Sequence, residues 1–145
     1  MTTYYGVQAT KYAAGGMSNF VTQDWDERVQ VCYDSYVDTA GAASGSVITF
    51  GRLPKGARPL FFIVNYTGVT GAVTCTGLAI GSTTASAAIT TMATTGMQMP
   101  TALQAVSSTP LTADADITMT TGGASVTATG EIEVTCVYMQ GGIGA

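Results

Sequence analysis

The sequence predicts an all-β domain, an antiparallel sandwich or jelly roll preceded by an extended N-terminal arm, and three observations carry that reading. Threonine is scattered from end to end, and a β-branched side chain with a hydroxyl suits the half-exposed face of a strand better than a helix. About seven or eight short stretches of alternating polarity are separated by Gly, Pro and Ser turns, which excludes a fold of alternating strands and helices. Only 10% of residues are charged while 46% are hydrophobic, so the chain folds and covers its surface largely with Thr, Ser, Ala, Gly and Gln. At 145 residues it is long enough for one self-sufficient core and short for two.

Residues 1–24 form the arm: Gly6, Gly15, Gly16, Ser18 and Asn19 break any sustained period, yet Tyr4, Tyr5, Tyr12 and Phe20 are too many aromatics for a passive linker. The sandwich domain takes residues 25–145. Arg28 to Asp38 alternates, with Val29, Val31, Tyr33, Ser35 and Val37 on one face and Gln30, Cys32, Asp34, Tyr36 and Asp38 on the other. Thr39 to Gly45 is a loop, and Ser46 to Leu53 is a second strand. Leu53-Pro54-Lys55-Gly56 predicts a type I turn with Pro second and Gly fourth. Arg58 to Tyr66 is apolar on both faces, which predicts a central strand covered on both sides, one cover being open to a partner subunit.

Ala72 to Gly81 reads as a strand with a bulge at Gly77. Across 82–95 the spacing of Ala85, Ala87, Ala88 and Met92 predicts one or two helical turns, although the threonines favour strand. Met97 to Gln104 is a strand broken at Pro100, and a further strand follows Asp114, where Ala115, Ile117 and Met119 alternate with polar residues. After a turn at Gly122-Gly123, Ser125 to Gln140 reads as one long strand bent at Gly130. Val126, Ala128, Ile132, Val134, Cys136 and Tyr138 face in, and Thr127, Thr129, Glu131, Glu133 and Thr135 face out. The Gly-rich tail from Gly141 is predicted to be mobile.

Little in the chain supports catalysis. The absence of histidine removes the commonest general base, the usual Ser and Cys triads and most catalytic zinc sites. Three carboxylate groups remain. Glu131 and Glu133 read as a solvated, edge-protecting pair, Asp114 and Asp116 lack the rest of a calcium loop, and Asp24, Asp26 and Glu27 join arm to domain beside Trp25. No nucleotide-binding glycine motif follows a strand and opens a helix, so no cofactor is expected. A net charge of -4 with five Lys plus Arg excludes nucleic acid and anionic membranes as partners. No apolar run is long enough to span a bilayer, and no secretory signal is read at the N-terminus. Cys32, Cys75 and Cys136 are an odd number at wide spacing, read as small buried apolar residues in a reducing compartment, with one disulfide left open. Met92, Met97, Met99 and Met119 read as core filling in preference to an adaptable binding surface.

The order of motifs resembles the small head-decoration, or cement, proteins of tailed bacteriophages. The residues that carry the resemblance are Tyr4-Tyr5-Gly6 in the arm, Val31-Cys32-Tyr33-Asp34, and Ile48-Thr49-Phe50-Gly51 running into Leu53-Pro54-Lys55-Gly56-Ala57. Leu78-Ala79-Ile80-Gly81-Ser82, Thr127-Ala128-Thr129-Gly130-Glu131-Ile132 and Val137-Tyr138 complete it. The resemblance implies an antiparallel β-sandwich of jelly-roll type, made in the host cytoplasm, that sits on the outer surface of the virion capsid. It would act as a homodimer or homotrimer bridging subunits of the major capsid protein, with the arm reaching across neighbours. Tyr4, Tyr5, Tyr12, Phe20 and Trp25 are the expected contacts, because aromatic side chains anchor protein interfaces. The competing expectation is a carbohydrate- or receptor-binding sandwich module of a phage tail or fibre, in which exposed aromatics stack on sugars.

Overall fold

Alternating β-branched and small residues leave the backbone extended nearly everywhere, and the computed structural model, which describes residues 3–5, 28–103 and 108–140, shows eight strands. They are β1 (Thr3–Tyr5), β2 (Arg28–Val37), β3 (Val47–Leu53), β4 (Ala57–Ile80), β5 (Thr83–Thr84), β6 (Ile89–Gln98), β7 (Ala115–Gly123) and β8 (Glu131–Gln140). The ladder runs β1-β3-β7-β4-β8-β2, with β5 and β6 also paired to β4. All pairings are antiparallel except β1 with β3.

β4 organises this sheet. Its first half, from Ala57 to Thr67, pairs with β8, and its second half, from Val73 to Ile80, pairs with β7, while β6 accompanies both. The sheet therefore curls into a sandwich-like, nearly closed body, in which the Cys32 Sγ of β2 comes within 4.0 Å of the Arg52 carbonyl of β3. A single core lies between the two halves. Phe62, Val64, Ile132, Val134 and Cys136 meet Ile48, Phe50, Leu78, Ile117 and Met119 there, all essentially without exposure. Each large aliphatic or aromatic side chain so buried contributes roughly 1.5–3 kcal/mol.

Four local readings change. First, no helical turn forms over the described residues of 82–95, where the chain makes β5 and starts β6. The threefold spacing of buried Ile89 and Met92 arises because β-bulges interrupt the β4 ladder between the Val73–Met92 and Cys75–Ile89 pairs, so alternation slips by one residue. Second, Arg58–Tyr66 and Ala72–Gly81 belong to one 24-residue strand, in which the bulge predicted near Gly77 appears as a shift between Cys75 and Leu78.

Third, the turn after β3 sits one residue further on. The Ala57 amide donates to the Pro54 carbonyl at 3.1 Å, so Gly56 is the third residue of the turn, and its φ of 86° is what a type II turn demands there. Fourth, the last strand begins at Glu131 and not Ser125. The Gly130 amide donates to the Thr127 carbonyl at 2.8 Å, closing a turn that leaves Ala128 exposed and holds Thr129 at a φ of 77°. Val126, Ile132, Val134, Cys136 and Tyr138 do face inward as expected.

β2, β3 and β7 match the strands expected there, and the 39–45 loop is present. Past Gln98 only isolated bridges from Thr101 and Ala102 continue the predicted 97–104 strand. Most of the predicted arm and the Gly-rich tail lie outside the described residues. Thr3–Tyr5, at the start of the arm, run parallel to β3 with Tyr4 opposite Ile48 and Tyr5 opposite Thr49.

Candidate interaction surface

The sequence left open which face of β2 turns inward, and the structure turns the more polar one. Cys32, Asp34, Tyr36 and Asp38 are buried, while Val29 and Val31 are 62% and 61% exposed and Tyr33 and Val37 49%. This inversion is tolerated because the inward polar groups are satisfied. Asp38 Oδ1 accepts from the Tyr36 hydroxyl at 3.1 Å and from the Ala40 and Gly41 amides at 3.0 and 2.9 Å, and Oδ2 accepts from the Ala42 amide at 2.5 Å. Its backbone amide and carbonyl bond Gly130 and Thr129, tying the 39–45 loop to the turn before β8. Buried carboxylates persist only with such partners.

The outward valines join a wider apolar face. Val31 is opposite Val137 on β8, which is opposite Phe61 on β4, and Val29 is opposite Met139. Tyr33, Thr135 and Ile63 form the next row, followed by Ser35, Glu133, Asn65 and Met97. Met99 follows Met97 beside Ile63, because Phe61 bridges Thr101 in the same antiparallel register. Met97 and Met99 are exposed, as is Phe61, while Val137, Met139 and Ile63 are half-buried. Contiguous apolar area of this kind on a folded domain marks a place where another surface binds. A polar clasp sits within it: the Tyr33 hydroxyl donates to Glu133 Oε1 at 2.6 Å and Asn65 Nδ2 donates to Glu133 Oε2 at 3.3 Å. The hydrogen bond to Glu133 raises the Tyr33 phenol above its ordinary range.

Two solved phage capsid structures share this fold. A chain of "Capsid of Ralstonia phage GP4" superposes with a TM-score of 0.74 at 20% identity, covering 88% of this chain and 94% of that one. A chain of "Cyanophage Pam1 capsid asymmetric unit" does so with a TM-score of 0.58 at 16% identity, covering 87% and 94%. No protein-family model matches the sequence, and no curated protein matches it either. The likeness is thus one of architecture over nearly the whole length of each chain.

Of the residues singled out from sequence, Tyr12, Phe20 and Trp25, together with Asp24, Asp26 and Glu27, lie outside the described residues. Tyr4 and Tyr5 are placed on β1. Of the two carboxylate pairs that are described, Asp114 and Asp116 serve as structural ties. Asp114 Oδ1 accepts the Lys55 amide at 2.8 Å, closing the β3–β4 turn against the start of β7, and Asp116 pairs with Arg52 Nε at 2.5 Å across the β3–β7 ladder. Glu131 and Glu133 do face outward, but they do not guard an edge, because β8 is flanked by β2 and β4.

Among the described residues no group of three or more His, Cys, Asp or Glu side chains could hold a metal ion, and no helix is long and apolar enough to cross a membrane. The methionines divide. Met92 and Met119 fill the core as expected, whereas Met97 and Met99 belong to the exposed face. That face as a unit was missed from sequence, and its visible trace was Arg58–Tyr66, where both faces are apolar. The structure covers Phe62 and Val64 but leaves Leu60 and Phe61 more than a third exposed, so the second cover is lacking within the described residues.

Proposed function

We propose that this chain is a structural virion protein, without catalytic activity, that binds the outer surface of a phage capsid and stabilises it by bridging subunits of the major capsid protein. The observation that carries the reading is the shared architecture with a chain of the Ralstonia phage GP4 capsid over nine-tenths of both molecules. The exposed apolar face across β2, β8, β4 and β6 supports it, since a protein whose work is adhesion needs an area of this character. In this reading the domain is a jelly-roll-type sandwich that acts as a homodimer or homotrimer. Residues 1–24 are an arm laid across neighbouring subunits, and Tyr4, Tyr5, Tyr12, Phe20 and Trp25 are contacts.

The mechanism is mass action. A protein that binds the assembled shell and not its dissociated subunits adds its binding free energy to shell stability, and many symmetric sites multiply a modest contact. The test is to add purified protein to empty heads of the phage that encodes it, then follow co-sedimentation and head melting temperature. Binding with a raised melting temperature supports the proposal, and binding weakened by Val31→Asp or by Tyr12→Ala identifies the face or the arm as the contact. Absence of co-sedimentation with intact heads overturns it.

A further inference from the structure

Two of the three cysteines stand directly opposite one another. In the β2–β8 ladder Cys32 is the register partner of Cys136, and both side chains are buried on the inner face. Facing residues of an antiparallel pair are about 4.5 or 5.5 Å apart at Cα, according to whether they exchange hydrogen bonds, and both values fall within the roughly 4.4–6.8 Å that disulfides span. We propose that Cys32 and Cys136 are a latent cross-strand disulfide site, closed by oxidation with a small-molecule disulfide, that staples β2 to β8.

The thiols are free as they stand, each turned aside. Cys32 Sγ donates to the Arg52 carbonyl at 4.0 Å and lies over Gly51, where the missing side chain gives it room. Cys136 Sγ donates to the Val137 carbonyl at 3.9 Å. Rotation about each Cα–Cβ bond turns the sulfurs toward each other, and a small approach of the two strands completes the geometry, since facing Cβ atoms lie about 4.5–5.5 Å apart and a disulfide spans roughly 3.5–4.5 Å. Cys75 has Thr121 and Ile89 as its ladder partners, so it has no such mate and serves as an internal control. The bond would act where it matters for the fold, because among the described residues β2 has only β8 as a ladder partner.

The chemistry balances with oxidised glutathione as the oxidant. The Cys32 thiolate, reached when the β2 edge opens, attacks one glutathione sulfur; the glutathione disulfide breaks, a mixed disulfide forms and one glutathione thiolate leaves. The Cys136 thiolate then attacks the Cys32 sulfur, forming the protein disulfide and releasing the second glutathione. Two protein thiols are oxidised, one disulfide is reduced to two thiols, and the two protons pass to the departing glutathiones. Burial pushes the Cys32 thiol up to about 11 and Cys136 further, so the reaction is slow at neutral pH and accelerates as pH rises toward that value.

The experiment is to incubate the folded, full-length protein with oxidised glutathione at pH 7 and pH 9.5, block remaining thiols with iodoacetamide, and map peptides by mass spectrometry. The expected result is a Cys32–Cys136 linked peptide formed faster at the higher pH, with Cys75 recovered as a free thiol, and a Tm raised by roughly 5–15 °C that dithiothreitol reverses. A Cys75→Ala variant, which keeps the pair, should give the same peptide. Recovery of Cys32 and Cys136 only as free thiols, or of disulfides only between chains or with Cys75, would overturn the assignment.

Discussion

β2 and β8 are adjacent ten-residue strands in one ladder, and they distribute polarity in opposite ways. β8 follows the ordinary rule, with Ile132, Val134 and Cys136 inward and Glu131, Glu133 and Thr135 outward. β2 turns valines to the outside and carboxylates to the inside. The difference shows that a strand's inner face is chosen by the whole sheet, not by its own hydropathy. Once β8 is fixed by its apolar row, register obliges Asp34 and Tyr36 to share that side, and the burial of Asp38 is offset by four hydrogen bonds.

If that account is right, Asp38→Ala should be as costly as a large-to-small change on the β8 core face. The expected loss is about 3–5 kcal/mol, because the Tyr36 hydroxyl and three amides lose their acceptor together, against about 2–5 kcal/mol for Ile132→Ala. Urea unfolding of both variants makes the comparison, and a loss below about 1 kcal/mol for Asp38→Ala would break it. A smaller effect probes how β2 meets β3. A Cβ on Gly51 would lie 2.6 Å from Cys32 Sγ, so Gly51→Ala should cost about 1–3 kcal/mol. In a Cys32→Ala background the same change should cost at least about 1 kcal/mol less, which a double-mutant cycle measures.

Alkaline titration sharpens the comparison at an inward position where the two strands carry the same residue, the buried cysteine pair. The thiol pKa of Cys32 is raised by burial, and secondarily by Asp34, from 9.0 to about 11, and that of Cys136 is raised further. The unfolded chain releases these protons first. Stability should therefore be complete below pH 9 and fall as pH climbs through 11, by at most about 1.4 kcal/mol per pH unit for each thiol. A Cys32→Ala/Cys136→Ala variant should show a flatter profile in thermal melts across that window. The smallest effect belongs to the outward valines: Val31→Thr should change stability by less than about 0.5 kcal/mol, whereas Val134→Thr should cost about 1–3 kcal/mol. A large loss at Val31 would mean that β2 is buried after all.

Legibility in the sequence followed the regularity of the ladder. β7 and β8 alternate in regular twos and their inward residues were readable by counting, whereas a bulge in β3 between Thr49 and Arg52 sets the buried Phe50 and Leu53 three apart. The start of β6 was misread because Ala85, Ala87, Ala88 and Met92 suit a helical face, whereas the structure buries Ala85 and Met92, leaves Ala87 and Ala88 exposed, and lets bulges opposite β4 break the alternation that would have marked a strand. The start of β8 was misplaced because Val126 is buried from a loop and not from a strand, and its burial depends on contacts no local pattern records. The apolar face was invisible for a different reason. Its residues come from four strands and become neighbours only through register, while every single strand that contributes to it also carries an apolar residue to the core.

The undivided course of β4 has a mechanical consequence. A strand that belongs to both halves of the sandwich joins them by covalent backbone, and where it passes between them, from Gly68 to Ala72, its ladder pairing is reduced to Val69 opposite Thr94, with Gly68 at a φ of 66°. A load taken up beside β8 is transmitted along covalent backbone to the region beside β7, through a bulged stretch in which flexing breaks few ladder bonds.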